Sequence, residues 1–299
     1  MEIELRNSIL KKVENIIHYD FNVIGLGSES CPHKLPAIEE ILKIYDIASD
    51  HDKKFRLITP ITPQSSLDFV LNTIQQFIDE TSNGDITIND LGVLHACQET
   101  ILNEKTNHCF NIGLGIVVSL AQCAWIDHIL RDESNFIRDA YLKTNMNHDR
   151  KIRFLQEYYG IKGVEVPYIP KIEKSFSELK NKGLEIIAQI NYIPVAYARA
   201  CHTARFYKIR PPNCVNKCED TIKIKLEEIF DLTQLIPRYI KPDPDVKKLI
   251  PDFWLVGNVL YRKELISNIS DSVDCVVLDS RFYSNKELKS TIEWLSTIT

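Results

Sequence analysis

Apolar positions along the chain switch between a period of two and a period near 3.6, and the switches mark out its elements. Short β-branched runs at Asp20–Gly27, Phe55–Thr59, Asp85–Ile88, Cys109–Gly115, Gly163–Pro167, Leu184–Ile190, Phe253–Leu260 and Asp274–Leu278 read as strands. Helical spacing fills most of the gaps. Leu35–Ser49 carries it, as does Leu67–Glu80 with Leu67, Val70, Leu71, Ile74 and Phe77 on one stripe. The stretch after Asn89 through His95 to Thr100, Ile172–Lys182 and the closing Asn285–Ser296 read the same way. Residues 2–18, with Leu5, Ile9, Leu10, Val13, Ile16 and Ile17, are expected to open the chain as a helix, and 116–158 to be mostly helical.

Strands separated by helices imply parallel βαβ units, and eight of them predict a closed (β/α)₈ TIM-barrel-like fold. No repeat or linker divides the chain, so 1–299 is expected to be a single domain. Lys208–Asp252 fits least well. It holds Pro211, Pro212, Pro237, Pro242, Pro244 and Pro251, and reads as an excursion with an irregular β segment at Thr221–Leu226. Together with the cysteines before it, the excursion covers roughly 197–252, after the sixth expected strand.

Composition narrows the class. A charged fraction of 26% and a hydrophobic fraction of 44% are ordinary for a globular protein. A net charge of −5 argues against nucleic acid as a general partner, although Arg199–Lys225 is locally basic and leaves an anionic ligand open there. The N-terminus alternates charged and apolar residues and does not read as a signal peptide. Ile112–Ile126 is too short and too interrupted to span a bilayer. A cytoplasmic protein is expected, with its eight cysteines reduced.

Cys201, Cys214 and Cys218 crowd into one basic segment, and thiols that close in a reducing compartment point to a metal. Three thiolates leave a tetrahedral site incomplete. Cys31, just after the first expected strand, would share the catalytic rim of a barrel with Cys201 after the sixth. Cys214 and Cys218 stand at i, i+4. Four convergent thiolates suit a [4Fe–4S] cluster or a structural zinc, and unligated thiols are the third reading. Only one pair has knuckle spacing, which favours the cluster. Cys97, Cys109, Cys123 and Cys275 lie in apolar runs and read as core thiols.

Other residues have two readings each. Asp90, ending the third expected strand, could act on a substrate or cap the next helix. Asp279 and Arg281, ending the last strand, could clamp an anion or pair with each other. Arg199 and Arg205 flank Cys201, where cations would offset cluster charge, and Tyr197 could donate a hydrogen bond into the site. No triad, phosphate-binding glycine loop or His-Glu-x-x-His is found.

Four stretches resemble the collagenase-like peptidase family U-thirty-two, and in particular its short UbiV-like members of oxygen-independent ubiquinone biosynthesis. They are Ile86–Leu94 with its Asn-Asp-x-Gly, Ile193–Arg205 around Cys201, the Cys214-x₃-Cys218 pair, and Val277–Ser284. Gly25–Cys31 is similar to the position of an isolated early cysteine in that group. The resemblance implies a [4Fe–4S] cluster on Cys31, Cys201, Cys214 and Cys218. It also implies a role in hydroxylation without dioxygen on a small biosynthetic substrate, beside a second family member in a hetero-oligomer. A non-catalytic, cluster-bearing or electron-transfer subunit is the alternative, and a peptidase the third. The sequence departs from the family where the fourth strand ends in Gly-Leu-Gly-Ile-Val-Val, at Asp279-Ser280, and over 116–160.

Overall fold

Eight parallel strands close on themselves in the computed structural model, which describes residues 1–7, 10–100, 107–123, 126, 130–198, 200–214, 217–225 and 251–298. The barrel strands are β1 (Glu2–Asn7), β2 (Val23–Gly27), β3 (Lys54–Thr59), β4 (Gly84–Ile88), β5 (His108–Ile112), β6 (Ile161–Pro167), β7 (Glu185–Gln189) and, last in the chain, β12 (Cys275–Asp279). Neighbours follow sequence order around the ring, and β12 lies between β7 and β1. The expected (β/α)₈ barrel is the observed fold.

Each barrel strand turns alternate residues outward. Leu5, Leu26, Leu57, Ile88, Val164 and Leu278 are fully buried in one continuous core beneath the helices. Those helices are α1 (Leu10–Ile16), α2 (Ile38–Asp50), α3 (Leu67–Glu80), α4 (Leu91–Thr100), α5 (Asn135–Tyr141), α6 (Asp149–Tyr159), α7 (Glu173–Lys180) and, closing the chain, α9 (Asn285–Ile298). Their apolar stripes are the ones the sequence displays: Val70, Ile74 and Phe77 of α3 are buried, as are Leu288, Ile292 and Leu295 of α9. Each such side chain contributes about 1.5–3 kcal/mol of burial energy, which holds the helical ring on the barrel.

Two sequence expectations are corrected. Residues 2–18 are not one helix, because Glu2–Asn7 forms β1. Ile3 and Leu5 alternate with Glu4 and Arg6, and the two charged residues face inward instead of into solvent. Phe253–Leu260 is not a barrel strand. It divides into β10 (Phe253–Val256) and part of β11 (Val259–Lys263), which pair antiparallel about Gly257–Asn258. Gly257 has φ +66°, which a two-residue hairpin turn requires at its first position.

That hairpin belongs to a second sheet, ordered β8-β11-β10-β9 and antiparallel throughout. Here β8 is Tyr192–Tyr197 and β9 is Ile222–Ile224, the latter inside the irregular β segment expected at Thr221–Leu226. A short helix, α8 (His202–Phe206), follows β8. The excursion therefore begins at Tyr192, directly after β7, and the part of it at 226–250 lies outside the described residues.

Candidate functional site

The second sheet lies across the C-terminal mouth of the barrel, touching the loops that follow three of its strands. Ser30 Oγ, after β2, donates to Asn258 Oδ1 at 2.7 Å. Gln122 Nε2, after β5, donates to the Pro194 carbonyl at 2.7 Å. Phe282, after β12, stacks on Tyr192 with centroids 4.3 Å apart. In barrels of this type the C-terminal mouth carries function. Here it is roofed.

The first of these loops depends on Gly27, whose φ is +129° and whose Cβ, if present, would stand 2.1 Å from the Ile58 carbonyl oxygen. Past it the chain turns through Ser28, whose Oγ accepts from the Cys31 N–H at 3.2 Å. Cys31 opens the 3₁₀ turn Pro32–Lys34, and Lys34 pairs with Glu219 beside Cys218. Asn258 Nδ2 donates to the Ser30 and Ala198 carbonyls at 3.2 and 2.8 Å. Gly257 N donates to Thr203 Oγ1 at 2.9 Å, two residues past Cys201. Loop by loop, the segments bearing Cys31, Cys201 and Cys218 are tied together.

Cys31 lies within electrostatic reach of Cys201 and Cys218, and Cys201 of Cys218 and Cys214. Burial pushes the Cys31 thiol up to about 11, and the nearby Cys218 and Cys201 add to the shift. Cys201 is pushed up by burial and by Cys218 and Cys214, while the Ala204 N–H, 3.3 Å from its sulfur, opposes the shift. Cys214 ends a turn at 211–214, and Cys218 lies in the 3₁₀ turn Lys217–Glu219, packed in a small apolar cluster with Tyr192, Val256, Val259 and Tyr261. Among the described residues no group of three or more Cys, His, Asp or Glu stands in metal-holding geometry. The donor chemistry is nevertheless uniform: four sulfurs from three loops, a soft set that suits iron–sulfur or zinc.

Beneath the roof, the barrel lumen is charged where bulky aliphatics are usual. Arg6 donates to Glu29 Oε1 at 2.8 Å, to Glu4 Oε1 at 2.8 Å and to Glu165 Oε1 at 2.6 Å. Arg56 donates to Glu4 Oε2 at 2.6 Å and Asp85 Oδ2 at 2.7 Å nearer the opposite end. Burial holds Glu29 above the usual carboxylate range despite Arg6, with Glu165 and Asp279 adding to the rise. Tyr197 of the roof donates to Glu29 Oε2 at 3.2 Å. Thr87 Oγ1 and both amide ends of Asn111 and Gln189 are buried on this inner face without a hydrogen-bond partner among the described residues.

The residues singled out from sequence are therefore distributed unevenly. Tyr197 reaches the mouth, and its hydrogen bond goes to Glu29. Arg205 is exposed on α8 one turn beyond Cys201, and Arg199 lies outside the described residues. Asp90 caps α4: Oδ1 accepts from the Gly92 and Val93 N–H groups at 2.7 and 3.2 Å, and Oδ2 from the Thr62 N–H at 3.1 Å. Asp279 and Arg281 pair with each other, Nε standing 2.8 and 3.0 Å from the two carboxylate oxygens. Glu29, Arg6 and Glu165 were not singled out. Glu165, alone in Gly-Val-Glu-Val-Pro, was the available signal, since a lone charge inside a strand buried on both faces needs a buried partner.

Fold and mouth together define a (β/α)₈ barrel with a roofed, charged lumen and cysteine-bearing loops tied together at its mouth. No protein-family model matches the chain, and no curated protein matches it. A crystal structure of an uncharacterized B. cereus protein is similar at TM-score 0.39 and 10% identity, over 97% of this chain and 64% of that one. A likeness that low carries no argument about function, and this chain spans less than two thirds of that protein's length.

Proposed function

We propose that this is an iron–sulfur protein whose cluster is held by Cys31, Cys201, Cys214 and Cys218 at the roofed mouth of the barrel. It would serve an oxygen-independent hydroxylation or related redox step on a small biosynthetic substrate, beside a second subunit of the same family. The observation that carries this reading is that Cys31, from the loop after β2, lies within electrostatic reach of Cys201 and Cys218, which come from segments far later in the sequence. When bound, a [4Fe–4S] cluster supplies one-electron transfer. The chain's own part is to hold it: Ser28 fixes the backbone at Cys31, Asn258 joins the Cys31 loop to the segment before Cys201, and the Lys34–Glu219 pair anchors the turn bearing Cys218.

One observation favours a second reading, a cluster-bearing subunit without catalysis of its own. Asp90 and Asp279, the carboxylates expected to act at the rim, have both oxygens engaged by backbone N–H groups or by Arg281. Anaerobic reconstitution with iron and sulfide tests the main proposal. Uptake of about four iron per chain, with broad visible absorption that is lost in Cys201→Ala, is the expected result. Colourless protein that binds zinc on the same cysteines would overturn it. Turnover of substrate by the lone reconstituted chain would remove the subunit reading.

A further inference from the structure

Outside the roof, against Cys201, lies an open groove of about 530 Å³. Arg205, Lys208 and Arg210 line it, over an apolar surface that includes Ile209 and Pro211. The volume is within the usual range for small-molecule sites, roughly 300–1,000 Å³. No carboxylate among the described residues pairs with any of the three cations, although Lys34 and Lys223 nearby each have one. Residues 199–225 hold seven Lys and Arg against two acidic residues, in a chain whose net charge is −5. Lone surface cations are ordinary, but three without a carboxylate partner among the described residues, sharing one concave, half-apolar site, are not.

The backbone adds a second observation. Lys208 has φ +56°, a conformation that favours Gly or Asn, and here it carries a long cationic side chain. The turn is held firmly: Lys208 N donates to the Arg205 carbonyl at 3.0 Å and Ile209 N to the Ala204 carbonyl at 2.9 Å. Such bonds fix where Arg205, Lys208 and Arg210 start from, which lowers the ordering cost of bringing them onto one anion.

We infer that this groove binds a small organic phosphate, its dianion held by Arg205, Lys208 and Arg210 and its carbon body lying on Ile209 and Pro211. Guanidinium forks match phosphate oxygens bidentately, and three cations balance a dianion better than a single carboxylate. The assignment does not depend on iron at the neighbouring cysteines, so it is tested on the full chain without a cluster.

The experiment is isothermal titration calorimetry with phenyl phosphate as probe and benzyl alcohol as its uncharged control. Phenyl phosphate is expected to bind one per chain, and to lose about tenfold in affinity in Arg205→Ala/Arg210→Ala. Lys208→Asn removes charge while suiting the left-handed backbone, and should weaken binding without lowering thermal stability. Equal binding of the two probes, or affinity unchanged by both sets of substitutions, overturns the inference. So does displacement of phenyl phosphate by a tighter-binding single-stranded RNA, which would make the groove part of a nucleic-acid surface.

Discussion

Arg6 Nη2 lies 2.6 Å from Glu165 Oε1, so that the first barrel strand is joined to β6 across the lumen. The two strands are not neighbours in the ring. The contact is a brace, and Glu4 and Glu29 share the same guanidinium. Removing a partner from a buried ion pair costs about 3–5 kcal/mol, because the remaining charges keep their desolvation penalty. Arg6→Met is therefore expected to lower stability by about that amount. Arg6→Met/Glu165→Gln should recover part of the loss by removing one unpaired charge. Urea denaturation measures both, and a single variant within about 1 kcal/mol of the parent would mean the brace adds no net stability.

The cysteines divide by location. Cys218 is buried beneath the roof close to Cys31 and Cys201, whereas Cys97 is buried in the core under the barrel helices. Cys218→Ser should abolish visible absorption after anaerobic reconstitution, and Cys97→Ser should leave it intact at a small stability cost. Loss of colour in both variants would indicate general unfolding, which circular dichroism of the same samples detects.

Asp90 offers a separation of capping from chemistry. With both carboxylate oxygens on backbone N–H groups, Asp90→Ala should cost about 0.5–2 kcal/mol, and Asp90→Asn, which keeps an acceptor, distinctly less. Thermal unfolding of the pair decides this. Equal destabilisation by both substitutions would mean the negative charge, not the cap, is what matters.

His108 gives the fold a pH dependence of definite sign. Its Nε2 lies 2.8 Å from Thr81 Oγ1, its ring packs 5.4 Å from Phe77, and burial holds it below the ordinary histidine value. The unfolded chain therefore takes up a proton first as pH falls, and the stability that comes from keeping His108 neutral is present above about pH 6.5 and lost below it. His108→Gln should flatten the decline of stability as pH falls below about 6.5. An unchanged slope, measured by denaturant titration across that range, would place the dependence elsewhere.

What the sequence could disclose follows from which faces carry the pattern. Helices α3 and α9, with one apolar stripe each, were legible to within a residue or two, and so were β3, β4, β6 and β7, whereas β5 ends at Ile112, three residues before the expected strand did. β1 was hidden because Glu4 and Arg6 occupy the inward positions, and a charged inner face mimics the solvent side of an amphipathic helix. The hairpin of β10 and β11 was hidden because its turn, Gly257–Asn258, interrupts an apolar run by only two residues. A shared rim for Cys31 and Cys201 was an expectation drawn from the barrel. The roof was not legible, since an antiparallel sheet with strands between 192 and 263 leaves no periodic mark distinguishing it from barrel strands. Glu29 was passed over as an ordinary polar loop residue, although it meets Arg6 and Tyr197.

The seam between β1 and β12 has a bearing on the order of events during synthesis. Glu2–Arg6 pair with Cys275–Asp279, so the ring stays open along one side until residues 275–279 have been made. Every cysteine except Cys275 is translated while that gap persists. If the proposed cluster is inserted, insertion into a growing chain would meet loops whose foundation is still unfinished, and stable loading of the mouth would follow closure of the ring by β12.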